Sequence, residues 1–217
     1  MRIRAVIWDL DGTLLDTLDD LTASVNAALG QNGLPRRTRD EVRAFVGNGV
    51  RMLVARCLPG GEADARFDAV YDAFVRHYGA HSRDRTRPYD GVPELLDALG
   101  KRGVRHAIVS NKIDFAVQAL ARAYFGERID VAVGDDPSRR RKPAPDSVLE
   151  AMRRMGVRPE ETAYVGDSDV DVLTARNAGV ACVAVSWGFR DEDCLRAAGA
   201  ERICDAPGEL LAQLEAL

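Results

Sequence analysis

Short apolar runs alternate with amphipathic helical stripes along most of this 217-residue chain, and the alternation is interrupted only once. The first run, 4–10, reads as a buried strand, and strand patterns return only near Pro88. Between them the apolar spacing is helical, and Thr38-x-x-Glu41 is a capping-box signature that opens a helix. Because strand–helix alternation is typical of parallel sheets, we expect an α/β fold. Its core is predicted to be a Rossmann-like, doubly wound parallel sheet, with an all-helical cap domain inserted after the first strand.

Apolar spacing and turn residues also give approximate bounds for the elements. Helices are predicted at 18–29, from 38 onward, at 67–78 with Gly79 as the end, at 92–99, 116–124 and 145–155, in a segment running to 177, and at 209–214. Strands are predicted at 4–10, 105–109, 129–133, 162–165, 181–186 and 202–204. The predicted domains are a catalytic core of residues 1–15 and 85–217 and a helical cap of residues 16–84.

Composition excludes several classes of protein. With 46% hydrophobic and 29% charged residues, the chain has ordinary globular usage, and a net charge of −4 argues against a nucleic-acid-binding protein. No apolar run approaches the roughly 20 residues of a membrane span, and the N-terminal run is too short for a signal peptide. The cysteines are scattered without a CxxC pair, which argues against a zinc site or a disulfide framework. We therefore expect a cytoplasmic protein without nucleic-acid or membrane partners.

Polar residues follow the predicted strands at the points where those strands end. The carboxyl ends of parallel strands share one edge of the sheet, where ligands bind in open α/β folds. Four segments supply that edge: Asp9-Leu10-Asp11-Gly12-Thr13, Ser110-Asn111-Lys112, Lys142 in Arg141-Lys142-Pro143, and Gly166-Asp167-Ser168-Asp169-Val170-Asp171. Each segment alone could be a turn or a helix N-cap. Their combination at one edge indicates a functional site.

Several carboxylates would then share one crevice, namely those of Asp9, Asp11, Asp167 and Asp171. Like charges held this close are unfavourable unless a cation or protons compensate them. A hard divalent cation that prefers oxygen ligands, most simply Mg²⁺, resolves the conflict and keeps positions for water and substrate phosphate. The predicted cofactor is therefore Mg²⁺.

A phosphoryl group completes the charge balance at this edge. Lys142 supplies a point cation, and Ser110 with the following amides lies where a strand leads into a helix, whose N-terminus attracts anions. The candidate substrate-binding residues are Thr13, Ser110, Asn111 and Lys142, and the expected substrate is a small phosphate monoester. Asp9 and Asp11 leave their strand on the same face, so one can attack phosphorus while the other protonates the leaving oxygen.

The four segments, in this order and with a helical insertion between the first two, resemble the motifs of the haloacid dehalogenase-like superfamily in its phosphatase branch. The resemblance implies Asp9 as nucleophile and Asp11 as acid and base, with Ser110 and Lys142 completing the catalytic set. It also implies Mg²⁺ held by Asp9, the backbone carbonyl of Asp11, and Asp167. Asp171 would be a further ligand through water, or a partner of the ligands.

Finer detail is similar to the phosphoglycolate phosphatase family. The similar runs are Val46-Gly47-Asn48-Gly49-Val50, Ser110-Asn111-Lys112, Arg141-Lys142-Pro143-Ala144-Pro145 and Val185-Ser186-Trp187-Gly188-Phe189. Ser110 departs from the threonine more usual in that family but keeps the hydroxyl. The resemblance implies 2-phosphoglycolate as substrate, and Arg51 and Lys112 are candidates to bind its carboxylate.

Other functions remain open at this stage. Relatives with the same core hydrolyse pyrophosphate or sugar phosphates, and a phosphomutase would share all four motifs. A haloacid dehalogenase has no need of Asp11, because a halide leaves without a proton. A phosphoaspartate signalling module shares the acidic pocket, but it is shorter and lacks a helical insertion. A non-catalytic binding protein would not need the complete catalytic set.

Overall fold

A six-stranded sheet forms the centre of the fold in the computed structural model, which describes residues 2–217. Met1, the first residue of the predicted core, lies outside the described residues. The strands of this sheet are β1 (Ala5–Trp8), β4 (Arg105–Ile113), β5 (Val131–Asp135), β6 (Thr162–Gly166), β7 (Ala181–Val185) and β8 (Ile203–Cys204). They pair in parallel in the order β5-β4-β1-β6-β7-β8. The predicted α/β fold with a Rossmann-like parallel sheet is confirmed.

Helices cover the sheet and also form the interruption in the strand pattern. The α-helices are α1 (Leu18–Gln31), α2 (Arg39–Phe45), α3 (Gly49–Cys57), α4 (Phe67–His81), α5 (Val92–Gly100), α6 (Asp114–Tyr124), α7 (Asp146–Met155), α8 (Asp169–Ala178), α9 (Glu192–Ala197) and α10 (Pro207–Glu215). Short 3₁₀ helices lie at Gly61–Ala63, Gly126–Arg128 and Pro159–Glu161. Of the helices between residues 2 and 217, none has the length and apolar character needed to cross a membrane.

Most element predictions are confirmed, and the differences have local causes. The capping box of Thr38 and Glu41 opens α2 as predicted. Helix α4 was predicted to end at Gly79 but continues to His81, because a glycine near a helix end costs only about 1 kcal/mol and the buried Phe74 and Tyr78 fix the helix by packing. The short helix α9 was not predicted, since six residues carry too little periodicity to be seen.

The order of the strands places a switch point at β1. After β1 the chain forms β4 and β5 on one side, and it then crosses over to form β6, β7 and β8 on the other. In open α/β sheets a crevice forms beyond the carboxyl ends of the strands at such a point. The residues that follow β1 and β6, and the last residues of β4, therefore share one crevice.

Helices α1 to α4, called the helical block below, lie between the two strands of a small antiparallel ribbon. The ribbon pairs β2 (Leu15–Asp16) with β3 (Arg87–Pro88), so the chain leaves and re-enters the main sheet at one place. The block has its own hydrophobic cluster around Phe74, and Phe189 from the loop after β7 packs into that cluster. The division into domains at residues 15/16 and 84/85 stays a prediction.

Candidate active site

The acidic crevice, formed by Asp9, Asp167 and Asp171, lies where β1 and β6 end side by side. Trp8 pairs with Val165 in the parallel register, and the N–H of Asp9 donates to the carbonyl of Val165 at 2.8 Å. One carboxylate oxygen from each of the three aspartates lies within 4.8 Å of the others, and all three residues are buried. The strand pairing thus brings residues 9 and 167 together although they are far apart in sequence.

Lys142 lies inside this group of carboxylates. Its Nζ donates to Asp9 Oδ1 at 2.8 Å, to Asp171 Oδ1 at 2.7 Å and to the hydroxyl of Tyr164 at 3.0 Å. The Tyr164 hydroxyl in turn donates to Asp171 Oδ1 at 3.0 Å. Asp171 is fixed from the other side by Ser168, whose hydroxyl donates to Oδ2 at 2.6 Å. All three N–H donors of the ammonium are therefore used within the crevice.

The crevice has an excess of negative charge, because three carboxylates face the single ammonium of Lys142. Burial raises the pKa of Asp9 well above its usual value, and Asp171 raises it further while Lys142 opposes the shift. Burial and Asp171 likewise raise the pKa of Asp167. For Lys142, burial lowers the pKa, but the adjacent carboxylates outweigh burial and raise it. These oxygen donors fit a hard divalent cation, which would favour their ionised forms.

Asp167 is held by contacts from two loops. The hydroxyl of Thr13 donates to Oδ1 at 3.0 Å, and the backbone N–H of Phe189 donates to Oδ2 at 2.7 Å. A Cβ at Gly12 or Gly188 would overlap the Asp167 carboxylate, and Gly12 also has a φ of +87°, which favours glycine. The two glycines allow the backbone to approach Asp167 closely, and its carboxylate is thereby fixed toward the crevice.

The carboxylate of Asp11 is not part of the group of three, although all four aspartates were predicted to share one crevice. It turns instead toward Lys112, whose Nζ donates to Oδ1 at 2.8 Å and to Oδ2 at 2.9 Å. The hydroxyl of Thr17 also donates to Oδ1, at 2.6 Å. The physical reason is charge. The crevice has too few positive charges to compensate a fourth carboxylate, whereas the buried ammonium of Lys112 gives Asp11 a positive partner of its own. The metal role predicted for Asp11 uses its backbone carbonyl, which this contact leaves unaffected.

A pocket between the crevice and the helical block collects most of the predicted site residues. It is lined by Asp9, Asp11, Ser110, Asn111, Lys142 and Asp167. Its other wall is largely apolar and consists of Leu21, Val46, Val50, Leu53 and Phe189. Thr13 does not line the pocket and contacts Asp167 from outside it. The fold thus brings together the predicted catalytic residues. Val46, Val50 and Phe189 of the apolar wall belong to runs quoted above for the family resemblance, whereas no role was predicted for Leu21 and Leu53.

Ser110 and Asn111 lie in the buried C-terminal part of β4, which continues past the predicted strand end at residue 109 to Ile113. The hydroxyl of Ser110 accepts from the N–H of Lys112 at 3.3 Å. The side chain of Asn111 accepts from the N–H of Lys142 at 2.9 Å and donates to the carbonyls of Lys142 and Gly47, at 3.1 and 3.0 Å. Asn111 therefore fixes the backbone of Lys142 and at the same time contacts the helical block.

A second set of contacts, called the closure seam below, joins the helical block to the loop after β7 through Arg43 and Arg190. Arg43 on α2 donates to the carbonyls of Phe189, at 2.9 Å, and Gly188, at 3.1 Å. Arg190 donates in the opposite direction, to the carbonyls of Arg43, at 3.0 Å, and Val46, at 2.5 Å. The two arginines thus connect the same two segments reciprocally.

Arg51, proposed above as a partner for a substrate carboxylate, does not line the pocket. Its guanidinium pairs with Glu62 at 2.9 Å and lies over the ring of Phe67, 4.7 Å from the centroid. The sequence showed only that Arg51 follows the Gly-Asn-Gly turn, and helix α3 directs the side chain elsewhere. Lys112 does line the pocket, but its ammonium is bound to Asp11.

Several residues of the site were missed by sequence reasoning. Tyr164 carries a usable signal, because it is a polar aromatic residue in the buried strand that ends at Gly166. Thr17 lies just before α1 and resembles an ordinary N-cap, although its hydroxyl binds Asp11. Arg43 carries no signal, since its partners are main-chain carbonyls, which every residue has.

Comparison with known proteins places this geometry among hydrolases. A family model described as haloacid dehalogenase-like hydrolase matches residues 6–185. An N-acetylmuramic acid 6-phosphate phosphatase of Pseudomonas aeruginosa is 36% identical, over 99% of this chain and 96% of its own. A phosphoglycolate phosphatase of Xanthomonas campestris pv. campestris is 39% identical, over 88% of each chain.

Solved structures agree with these sequence relatives. The crystal structure of a candidate phosphoglycolate phosphatase from Lactobacillus delbrueckii subsp. bulgaricus has a TM-score of 0.94 and 34% identity, over 99% of both chains. CbbY from Rhodobacter sphaeroides, crystallised with phosphate, has a TM-score of 0.84 and 28% identity, over 98% of this chain and 99% of its own. These matches extend across the core and the helical block alike, and they leave a phosphoaspartate signalling module without support.

Proposed function

The chain belongs to the haloacid dehalogenase-like hydrolase family, and we propose that it is a Mg²⁺-dependent phosphatase that hydrolyses 2-phosphoglycolate through an aspartyl phosphate on Asp9. Its relatives with phosphatase names make it a phosphoric monoester hydrolase. The metal, the covalent intermediate, the roles of individual residues and the substrate are our proposals, and the contacts of the site support them.

The strongest support is the position of the Asp9 carboxylate. It lies at the switch point of the sheet, at the wall of the pocket, with its side chain 11% exposed. Within residues 2–217, Lys142 binds Oδ1 and no side chain binds Oδ2. One oxygen is thus oriented by an ammonium, and the other is left to attack phosphorus.

Mg²⁺ fits the donor set of the crevice. The carboxylates of Asp9 and Asp167 and the backbone carbonyl of Asp11 would hold it, and all are oxygen donors of the kind that Mg²⁺ prefers. Both oxygens of Asp171 already accept hydrogen bonds, from Lys142 and Ser168, which favours a role behind the ligands. When bound, Mg²⁺ supplies positive charge that offsets the crowded carboxylates and the phosphoryl oxygens.

In the first half-reaction Asp9 Oδ2 forms a bond to phosphorus while the bond to the leaving oxygen breaks. Asp11 donates a proton to that oxygen, so glycolate leaves with a neutral hydroxyl group rather than as an alkoxide. Lys142 keeps Asp9 oriented, and Ser110 lies in the pocket wall where its hydroxyl can bind the phosphoryl group.

In the second half-reaction Asp11, now ionised, takes a proton from a water molecule that attacks phosphorus. The bond between Asp9 and phosphorus breaks, and Asp9 regains its carboxylate as inorganic phosphate leaves. Dividing the reaction in two is useful because uncatalysed hydrolysis of phosphate monoesters is extremely slow. The apolar wall of the helical block limits the entry of other water molecules.

Phosphoglycolate is the proposed substrate because several relatives carry that name, including the one at 39% identity. A sugar phosphate is the second candidate, since the relative that matches this chain over nearly its whole length is an N-acetylmuramic acid 6-phosphate phosphatase. Pyrophosphate hydrolysis and phosphomutase activity use the same core and are tested together with these two.

The test is a comparison of kcat/KM across a substrate panel, with Mg²⁺ and with chelator. The panel contains 2-phosphoglycolate, N-acetylmuramic acid 6-phosphate, hexose phosphates, pyrophosphate and p-nitrophenyl phosphate. We expect the highest kcat/KM for 2-phosphoglycolate and loss of turnover with chelator. A higher value for the amino-sugar phosphate would favour the second candidate, and a rearranged hexose phosphate without phosphate release would indicate a mutase.

A further inference from the structure

We propose that Lys112 is a positioning residue for Asp11, and that it orients the Asp11 carboxylate when the helical block is packed on the core. The inference rests on the proposed function, in which Asp11 is the acid and base. It assigns Lys112 a role through Asp11 rather than contact with the substrate carboxylate. Three features support it: the geometry of the pair, its burial and its cover.

The Lys112 ammonium binds both oxygens of Asp11, at 2.8 and 2.9 Å. A single contact would leave the carboxyl group free to rotate about its Cβ–Cγ bond, whereas contacts to both oxygens fix that rotation. The hydroxyl of Thr17 adds a third contact, to Oδ1 at 2.6 Å. An acid and base must be held in a defined direction relative to the leaving oxygen, and these three contacts define one.

The pair is also shielded from solvent. The side chain of Lys112 is 4% exposed and that of Asp11 is 12% exposed. Two ions that are taken out of water this far are held together strongly, because removing either partner leaves an uncompensated charge. Exposed ion pairs of this chain, such as Arg196 with Glu192, lack that constraint.

The third feature is the cover supplied by the helical block. The Nζ of Lys112 lies 4.6 Å from the ring centroid of Tyr78, which belongs to helix α4. Two N–H donors of the ammonium point to Asp11, and the ring of Tyr78 covers it from the block. This arrangement leaves the ammonium poorly placed to bind an anion in the pocket. The cover over the pair is therefore complete only while Tyr78 of α4 lies over Lys112.

The experiment uses p-nitrophenyl phosphate, whose leaving group needs little protonation, so the two half-reactions separate. The burst of p-nitrophenol reports attack by Asp9, and steady-state turnover reports hydrolysis of the phosphoenzyme, which needs Asp11 as base. For Lys112→Met we expect a burst rate within about twofold of the native enzyme and a steady-state kcat lowered about 10- to 100-fold, within the range of acid–base effects. Lys101→Met is the matched control, because Lys101 is exposed at the end of α5, before the N-terminal end of β4, whereas the crevice lies at the C-terminal end of that strand. It should leave both rates unchanged.

A double-mutant cycle with Asp11→Asn tests whether Lys112→Met lowers steady-state turnover through Asp11. If Lys112 acts through Asp11, adding Lys112→Met to Asp11→Asn should lower steady-state turnover by less than about twofold further, because positions that act as one unit are not additive. Losses that multiply would overturn the inference and leave the proposed function intact. Normal turnover by Asp11→Asn alone would instead contradict the proposed function.

A direct role in substrate binding gives a different result. In that case Lys112→Met would raise KM for 2-phosphoglycolate selectively, or would slow the p-nitrophenol burst, and either result would overturn the positioning role. If Lys112→Met does not fold, the pair Tyr78→Phe and Tyr78→Leu tests the same contact. Tyr78→Phe keeps the ring and should retain steady-state turnover, whereas Tyr78→Leu should lower it about threefold or more with the burst unchanged. Equal turnover in both variants would contradict the inference.

Discussion

The polar contacts of the acidic crevice are buried and those of the closure seam are partly buried, and the two sets are built from different partners. In the crevice, Lys142 binds the charged side chains of Asp9 and Asp171. In the seam, Arg43 and Arg190 bind neutral main-chain carbonyls of the opposing segment, and Arg190 also lies 3.6 Å from the half-exposed carboxylate of Asp169. Water can replace a neutral carbonyl partner at small cost, whereas an unpaired buried charge is expensive. We therefore expect the crevice to stay fixed while the seam opens and closes.

The largest effect should come from the crevice itself. Asp9→Asn removes the nucleophile, so we expect turnover of every substrate to fall by on the order of 10⁴-fold or more, as when other covalent nucleophiles are removed. Because burial and Asp171 raise the pKa of Asp9, its ionised form costs stability in the metal-free protein at neutral pH. The thermal midpoint of Asp9→Asn in metal-free buffer should therefore not fall.

Both measurements are needed to interpret that variant. Loss of turnover together with a lower thermal midpoint would mean that Asp9 also stabilises the fold. The catalytic role of the crevice could then not be separated from a structural one. Appreciable turnover by Asp9→Asn would contradict the nucleophile assignment directly.

The second prediction concerns the metal. Asp167→Asn is nearly isosteric: its one acceptor oxygen can accept from the N–H of Phe189, and its amide group can donate to the Thr13 hydroxyl. The substitution nevertheless removes a negative ligand. We expect Mg²⁺ affinity to weaken at least about tenfold, a loss typical even of residues next to metal ligands. Calorimetric titration of Mg²⁺ into the chelator-treated protein measures this without relying on activity. Unchanged affinity would remove Asp167 from the ligand set.

The crevice and the seam also differ in how far the sequence predicts them. Asp9, Lys142 and Asp167 were identified because parallel strands end at one edge and charged residues there need an explanation. The direction of the Asp11 carboxylate was not predictable, since it depends on where the side chain of Lys112 ends. Likewise no sequence pattern marks Arg43, because carbonyl acceptors occur at every position of the chain.

The fold shows the same limit. Strand–helix alternation and the helical interruption were sufficient for the α/β class, because each long element has a clear period. The sequence did not show that Phe189 packs into the hydrophobic cluster of the helical block, since that contact joins two distant parts of the chain. Local periodicity determines elements, while long-range packing determines how the block meets the core.

His106 on β4 lies outside both the crevice and the seam, and it should make the free energy of unfolding depend on pH. It is buried and accepts a hydrogen bond from Trp8 at 3.2 Å, and burial lowers its pKa to about 4. The unfolded state therefore binds more protons below pH 6.5, so stability is lost as the pH falls through that range. We expect a loss of about 2 kcal/mol in the free energy of unfolding between pH 7 and pH 5 from this residue.

Denaturant unfolding of the native protein and of His106→Asn at both pH values measures this contribution. The variant lacks the titrating group and should lose less stability by about that amount. An equal loss in both proteins would assign the acid sensitivity to other groups, including those of the crevice.

The smallest effect is expected at the closure seam. Arg43→Met and Arg190→Met each remove two hydrogen bonds to carbonyls, and each bond contributes about 0.5–1.5 kcal/mol. We expect kcat/KM for the preferred substrate to fall about five- to tenfold, mainly through a less stable closed arrangement. Arg36→Met, an exposed arginine in the segment before α2, is the matched control and should leave kcat/KM unchanged.

The informative measurement is whether the seam variants also change Mg²⁺ affinity. Arg43 binds the carbonyl of Phe189, and the N–H of the same residue binds Asp167. If the crevice is fixed by its own side chains, calorimetry should give the native Mg²⁺ affinity in Arg43→Met while kcat/KM falls. If the affinity drops in parallel with kcat/KM, then the loop transmits closure to Asp167. In that case the two regions act as one, and packing of the helical block helps to set the metal ligands.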